Sequence, residues 1–229
     1  MSKPITIVFD LDDTLVKEID YLKSAFGEIA SFADSQKSDL LEEMLDWHSN
    51  KENVFGKLEQ SYPHATVSEL KKLYRNHLPD FSHVSEVREF LSDLKSDGHF
   101  LGLITDGFSV TQRNKINALG IEDILDLIVI SEEFGSEKPH ESNYSAFHKF
   151  NTENYLYVGD NLNKDFVTAK KLGWTTICLI DDGRNVHAQD FNRNDLYLPA
   201  FTIHSLDGLS GIIKNLTNGI TAQDSTQNS

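Results

Sequence analysis

Ile5-Thr6-Ile7-Val8-Phe9-Asp10-Leu11-Asp12-Asp13-Thr14-Leu15 is the stretch whose reading decides the fold. Ile5 to Phe9 are all apolar or β-branched, and the run ends in acidic residues. Such a pattern predicts a buried strand. Asp10 then falls at the carboxyl end of that strand, the edge of an open α/β sheet where ligands bind. Asp12, Asp13 and Thr14 follow at once. A carboxylate at this edge can hold a hard cation, attack an electrophile, or do both. The plainer alternative is a strand that ends in an acidic turn, and three later stretches bear on the choice.

After this strand, residues from about Lys17 to His83 read as entirely helical. Leu22, Phe26, Ile29 and Ala33 recur at helical spacing, as do Leu41, Met44, Leu45 and His48, and Val67, Leu70, Tyr74 and His77. Thr66 and Glu69 have the spacing of a capping box. Amphipathic helices with polar joints predict a small bundle. The economical arrangement is an insertion, residues 17–83, folded as a cap over the carboxyl edge of the first strand.

From Val84 the pattern becomes α/β. Val84, Val87, Leu91 and Leu94 form a helical stripe that stops at Gly98. Strands are expected at Phe100–Ile104, Leu127–Ile130, Tyr155–Val158 and Thr175–Ile180, with a short further one at Phe201–Ile203. Helices are expected before Gly120, over Tyr144–Phe150, over Phe166–Leu172, and near Leu209–Leu216. Alternating strands and helices imply a parallel sheet covered on both faces, so the fold class is α/β. Residues 1–16 and 84–216 form the core in this reading, and the polar segment 217–229 a disordered tail.

The chain has 229 residues, with 21 Lys plus Arg against 36 Asp plus Glu, a net charge of −15. An excess of negative charge disfavours nucleic acid and anionic membrane as partners. It does not prevent local binding of a phosphate through a metal ion and a lysine. The single cysteine, Cys178, excludes an internal disulfide and sits in an apolar run that reads as core. The amino terminus leads straight into a strand too short for a signal sequence or a membrane span. A cytoplasmic protein is expected.

Four strand ends or loops carry reactive groups in order: Asp10-x-Asp12-x-Thr14, Thr105, Lys138-Pro139, and Gly159-Asp160 with Asp165 beyond. Each is weak singly. Thr105-Asp106-Gly107 alone reads as a turn and helix cap, Lys138 alone as a surface lysine. Together and in order they resemble the haloacid dehalogenase superfamily, in its phosphatase branch. Ile104 to Phe108 and Val129 to Gly135, followed by Lys138-Pro139, are similar to the pyrimidine 5′-nucleotidase and phosphoglycolate phosphatase-like members. The resemblance implies a Rossmann-like sheet of strand order 3-2-1-4-5, with the helical-bundle cap as an insertion.

It also implies the roles. Asp10 would attack phosphorus and form an aspartyl-phosphate, and Asp12 would act as general acid and then general base. Mg²⁺ would be held by Asp10, Asp160 and the backbone carbonyl of Asp12, with Asp165 binding it directly or orienting its water. Thr105 and the following amide would bind the phosphoryl group, and Lys138 would balance its charge. Asp106 and Gly107 would line the phosphate loop, with Asp106 standing where the family often has Asn. Tyr21 and Phe108 are candidates for the pocket mouth. His48, His64 and His77 are weaker candidates, since a helical stripe mostly reports burial.

The expected function is hydrolysis of a small phosphomonoester: a sugar phosphate, a phosphoglycolate-like ester or a nucleoside monophosphate. A phosphomutase shares these motifs. A 2-haloacid dehalogenase of the same fold would need no Mg²⁺ and would lack an acid two residues after the nucleophile, and Asp12 and Asp160 argue against it. A catalytically silent binding module would be expected to lose Asp10, Asp12 or Lys138. An inserted cap must open for exchange, which places hinges near Val16–Lys17 and Phe81–Val84.

Overall fold

The computed structural model describes residues 3–81 and 85–217. Val84 of the expected stripe, the second hinge at 82–84 and the tail from 218 lie outside the described residues. The first strand, β1, spans Thr6–Phe9 and is buried along its whole length. Four helices follow: α1 (Glu18–Ala33), α2 (Leu40–Ser49), α3 (Val54–Ser61) and α4 (Val67–Asn76). Their apolar stripes meet in a core of their own, built on Leu22, Phe26, Ile29, Leu40, Met44, Leu58 and Leu70. The Thr66–Glu69 capping box is formed in both directions and starts α4.

The rest of the described chain alternates as the sequence predicts. It runs α5 (Ser85–Ser96), β2 (Phe100–Thr105), α6 (Ser109–Leu119), β3 (Leu127–Ile130), a single turn α7 (Ser131–Phe134), and α8 (Glu141–Ser145). The expected Tyr144–Phe150 helix is tighter than an α-helix, since Ala146–Phe150 continues α8 as 3₁₀. Then come β4 (Tyr155–Gly159), α9 (Phe166–Lys171), β5 (Thr175–Leu179), β6 (Phe201–Ile203) and α10 (Leu209–Thr217). All five strand pairings are parallel and the order is 3-2-1-4-5-6. The expected order thus holds, and β6 extends it at the β5 edge.

Side chains from alternate positions of the central strands pack on opposite faces. Ile5, Ile7, Phe9, Leu101 and Leu103 pack with Leu91 and Ile116 on one side. Val8, Ile104, Tyr157 and Cys178 pack with Phe147, Phe166 and Trp174 on the other. Cys178 is therefore core. Burial on both faces explains why the strands read as continuous apolar runs.

One of the places where the bundle meets the sheet is a helix end. Carbonyls in the last turn of a helix have no partner within it. Here the Arg75 carbonyl accepts from Thr111 Oγ1, and the Asn76 and His77 carbonyls accept from Asn114 Nδ2, each at 3.0 Å. Thr111 and Asn114 lie on α6, so α4 ends against the helix that leaves β2.

Gly102, in the middle of β2, has a packing reason. A Cβ there would stand 2.0 Å from the Phe147 ring. Gly102→Ala is expected to destabilise the protein by about 1–3 kcal/mol, the usual cost of overpacking. Urea unfolding followed by circular dichroism measures this, and an unchanged midpoint would contradict it.

Candidate active site

The order 3-2-1-4-5-6 sets the carboxyl ends of β1, β2 and β4 side by side. Asp10 leaves β1 with its amide hydrogen-bonded to the Val158 carbonyl of β4 at 2.8 Å. Thr105 ends β2, and Asp160 follows β4. Lys138 arrives from the loop before α8. A cavity of about 200 Å³ opens between them, and its wall includes Asp10, Asp12, Thr105, Asp106, Lys138 and Asp160.

Lys138 organises the floor. Its Nζ donates to Asp10 Oδ1 at 2.6 Å, to Asp165 Oδ1 at 2.8 Å and to the Tyr157 hydroxyl at 3.3 Å. Burial acts to lower the Lys138 pKa, but Asp10 and Asp165 overcome it and hold the ammonium well above its usual range. Burial is likewise the largest influence on Asp10, pushing its carboxyl up to about 7 against the opposing pull of Lys138. Burial, then the charges of Asp10 and Asp165, push Asp160 up to about 9.

Asp165 lies behind the cavity wall and is fully buried. Its Oδ1 accepts from Lys138 and Tyr157, and its Oδ2 from the amides of Asp160 and Asn161. The close approach needs the glycine at 159, where a Cβ would stand 2.5 Å from Asp165 Oδ2. Asp106 is also committed: Oδ1 accepts from the Lys138 amide at 3.0 Å and Oδ2 from Lys164 Nζ at 2.6 Å. It ties the lysine loop to the end of β2. Asp13 adopts a left-handed backbone (φ 58°) and accepts from the amides of Glu18 and Val186. It fixes the turn between β1 and α1, as a cap would.

Several residues at this site were not singled out by the sequence reading. Lys115 Nζ donates to Asp12 Oδ1 at 2.5 Å, and Gln112 Nε2 donates to Asp12 Oδ2 at 2.9 Å and Thr105 Oγ1 at 2.5 Å. Both are buried on α6. Asn185 Nδ2 donates to Asp160 Oδ2 at 2.9 Å, while its Oδ1 accepts from Lys17. Glu18, at the start of α1, stands in the wall, with its carboxyl pushed up to about 7 by burial and then by Asp12. The only warning in sequence was the helical spacing of Gln112, Lys115, Ile116 and Leu119, which puts two polar groups on a buried face.

Other expected residues lie elsewhere. Tyr21 does not reach this cavity: it is 1% exposed, its hydroxyl donates to the Tyr74 carbonyl, and Lys115 sits over its ring at 4.6 Å. Gly107 and Phe108 line a neighbouring hollow beside Ser131 and Glu132. Phe108 is 44% exposed and carries the Arg75 guanidinium over its ring at 3.9 Å. His48 and His64 are exposed, with their rings against Phe26 and Phe32. His77 is buried between Ser24 and Glu28.

Asp10, Asp160 and Asp165 each offer a carboxylate oxygen, and these lie within 4.8 Å of one another. Hard oxygen donors at this spacing suit a cation such as Mg²⁺. Both Asp165 oxygens already accept two hydrogen bonds. Asp10 Oδ2 and Asp160 Oδ1 accept none from the described residues. The donor set therefore fits a hard divalent cation held by Asp10 and Asp160, with Asp165 as their brace.

The fold agrees with comparison to known proteins. The family model for haloacid dehalogenase-like hydrolases matches residues 7–179. The chain belongs to this family. Glyceraldehyde 3-phosphate phosphatase of Methanocaldococcus jannaschii is 30% identical over 227 residues, covering 92% of this chain and 97% of that protein. Pyrimidine 5′-nucleotidase YjjG of Escherichia coli is 31% identical over 49% of each chain. The crystal structure of the HAD hydrolase YfnB from Bacillus subtilis superposes with a TM-score of 0.63 at 18% identity, over 92% of this chain and 99% of that one, and supports the fold. Among the described residues no helix is long and apolar enough to cross a membrane.

The buried carboxyls make stability depend on pH and metal together. Asp10 and Asp160 hold their protons more tightly folded than unfolded, where a carboxyl titrates near 4. That contribution is full below about pH 4 and is lost as pH rises through about 7 for Asp10 and about 9 for Asp160. In chelator, the melting temperature is expected to fall between about pH 5 and pH 9, and added Mg²⁺ to restore more of it at the higher pH. Calorimetry with and without Mg²⁺ checks this; a chelated protein that gains stability across the range would contradict it.

Proposed function

We propose that the protein is a Mg²⁺-dependent phosphatase that hydrolyses a small phosphomonoester through an aspartyl-phosphate on Asp10. The observation that carries this reading is the convergence of Asp10, Thr105, Lys138 and Asp160 on one small cavity, with Lys138 bonded to Asp10. The relatives support it, since those named above are phosphatases of small phosphorylated metabolites.

A phosphate dianion repels a carboxylate, so attack requires charge neutralisation. Asp10 is the nucleophile, and its Oδ1 is held by Lys138. Lys138 balances the charge of the transferring group, while Thr105 Oγ1 and the Asp106 amide bind its oxygens. Asp12 protonates the leaving alkoxide and then deprotonates the attacking water. Asp10, Asp160 and the Asp12 carbonyl would hold a Mg²⁺ ion, which would supply positive charge to the phosphoryl oxygens. Asp165 keeps Lys138 and the loop after β4 in place.

Residues 17–83 serve as the cap over the core formed by 1–16 and 84–216. Glu18 of α1 already stands in the cavity wall, which supports that arrangement. A cap at this position limits substrates to small metabolites and gives no room to a nucleic acid or a folded partner. The net charge of −15 acts in the same direction. We place the activity in the cytoplasm.

Asp10→Asn is expected to lower kcat more than about a thousandfold while the protein still folds, because the change is close to isosteric and Asp165 still pairs with Lys138. Chelation should stop the wild type, Mg²⁺ should restore it, and Ca²⁺ should bind with little turnover, its looser coordination misplacing the reacting groups. Phosphate release from p-nitrophenyl phosphate measures each. Activity of Asp10→Asn within about tenfold of wild type, after excluding deamidation, would remove Asp10 from the role.

A further inference from the structure

Among the described residues of the cavity wall, Glu18 has the one carboxylate that neither the proposed chemistry nor the bracing of the loops employs. Its amide is tied to Asp13 Oδ1 at 3.0 Å, which fixes the start of α1 and turns the side chain to the site. The carboxylate itself forms no hydrogen bond or ion pair with any described residue. The carboxylate is part-exposed in the cavity wall, placed to accept a hydrogen bond from a ligand that enters.

The remaining wall says what that donor can be. Six carboxyl groups, those of Asp10, Asp12, Asp13, Glu18, Asp106 and Asp160, face two ammonium groups, those of Lys138 and Lys164, and the imidazole of His187. Both ammonium groups are spoken for, Lys138 by Asp10 and Asp165, and Lys164 by Asp106. Lys115, just behind, is paired with Asp12. Among the described residues of the wall, each lysine already has a carboxylate partner, so a carboxylate on the substrate would have to compete for it. At about 200 Å³ the space suits a leaving group of few heavy atoms, and among the described residues the wall holds no Phe, Tyr or Trp on which a nucleobase could stack.

We propose that Glu18 determines specificity by accepting a hydrogen bond from a hydroxyl of the leaving group, so that the site takes short phosphate esters with an uncharged, hydroxyl-bearing leaving group and rejects those carrying a carboxylate. The proposal rests on the phosphatase reading and narrows it, setting phosphoglycolate-like esters outside the substrate class. Rejection comes from a like charge set against the ligand in a site of low dielectric, a cost of the kind that separates partners elsewhere.

Glycerol 3-phosphate and 3-phosphoglycerate test it, since they differ by a hydroxymethyl group in place of a carboxylate. At pH 8, above the value of about 7 to which Glu18 is raised, the wild type is expected to favour glycerol 3-phosphate by about tenfold or more in kcat/KM. Glu18→Gln should narrow that preference about tenfold, mainly through a lower KM for 3-phosphoglycerate, while Glu18→Asp keeps it. Glu18→Ala removes the charge without leaving an amide and should shift the ratio the same way. A wild type that hydrolyses 3-phosphoglycerate as well as glycerol 3-phosphate would overturn the proposal. So would a Glu18→Gln protein of native melting temperature in which both esters slow equally. Failure of the wild type to release phosphate from any ester, p-nitrophenyl phosphate included, would overturn the phosphatase reading and this proposal with it.

Discussion

The ammonium of Lys138, shared between Asp10 and Asp165, is the contact on which the site depends. Asp10, Asp160 and Asp165 are packed into one buried cluster. Burying an unpaired carboxylate costs far more than a surface position would, and removing one partner of a buried pair typically costs about 3–5 kcal/mol. Lys138 meets part of that demand. The rest shows in the upward displacement of Asp10 and Asp160. A site that resists ionisation this strongly is one that a divalent cation would stabilise, so the electrostatic strain and the affinity for metal have the same origin.

The sheet supplies the geometry that makes this cluster possible. With β1 central, Asp10 has the end of β2 on one side and the end of β4 on the other. The loops are then locked to each other by side chains acting on backbone amides. Asp165 holds the amides of Asp160 and Asn161, Asp106 holds the amide of Lys138, and Asp13 holds those of Glu18 and Val186. Charged acceptors on backbone donors give short, directional bonds, so Asp160 and Lys138 are each positioned by a neighbour's carboxylate.

Much of this was legible in the sequence, for physical reasons. The strands of a buried parallel sheet are continuous apolar runs, so Ile5–Phe9 and Leu127–Ile130 stood out. Acids at strand ends stood out because they interrupt those runs. Lys138 became meaningful only through its place in the order of the four stretches. What escaped notice was polar and distant in sequence. Lys115 and Gln112 lie 103 and 100 residues from the Asp12 they hold, on a helix whose composition looks like a surface. Tyr21 was expected at the pocket mouth, yet it shares the buried stripe of Leu22, Ala25 and Phe26, and its ring supports Lys115 instead. Glu18, one turn before Tyr21, is the residue that faces the cavity. Periodicity locates a buried face but not which neighbour covers it.

The central claim is that Asp10 becomes covalently phosphorylated. Rapid acid quench of the Mg²⁺-loaded enzyme during turnover, followed by peptide mapping with mass spectrometry, addresses it directly. The account predicts one phosphoryl group on the peptide that contains Asp10, appearing within the first turnover, labile at alkaline pH and absent from Asp10→Asn. Steady turnover with an unmodified Asp10 peptide at every quench time, or a phosphoryl group carried on any other residue, would contradict it.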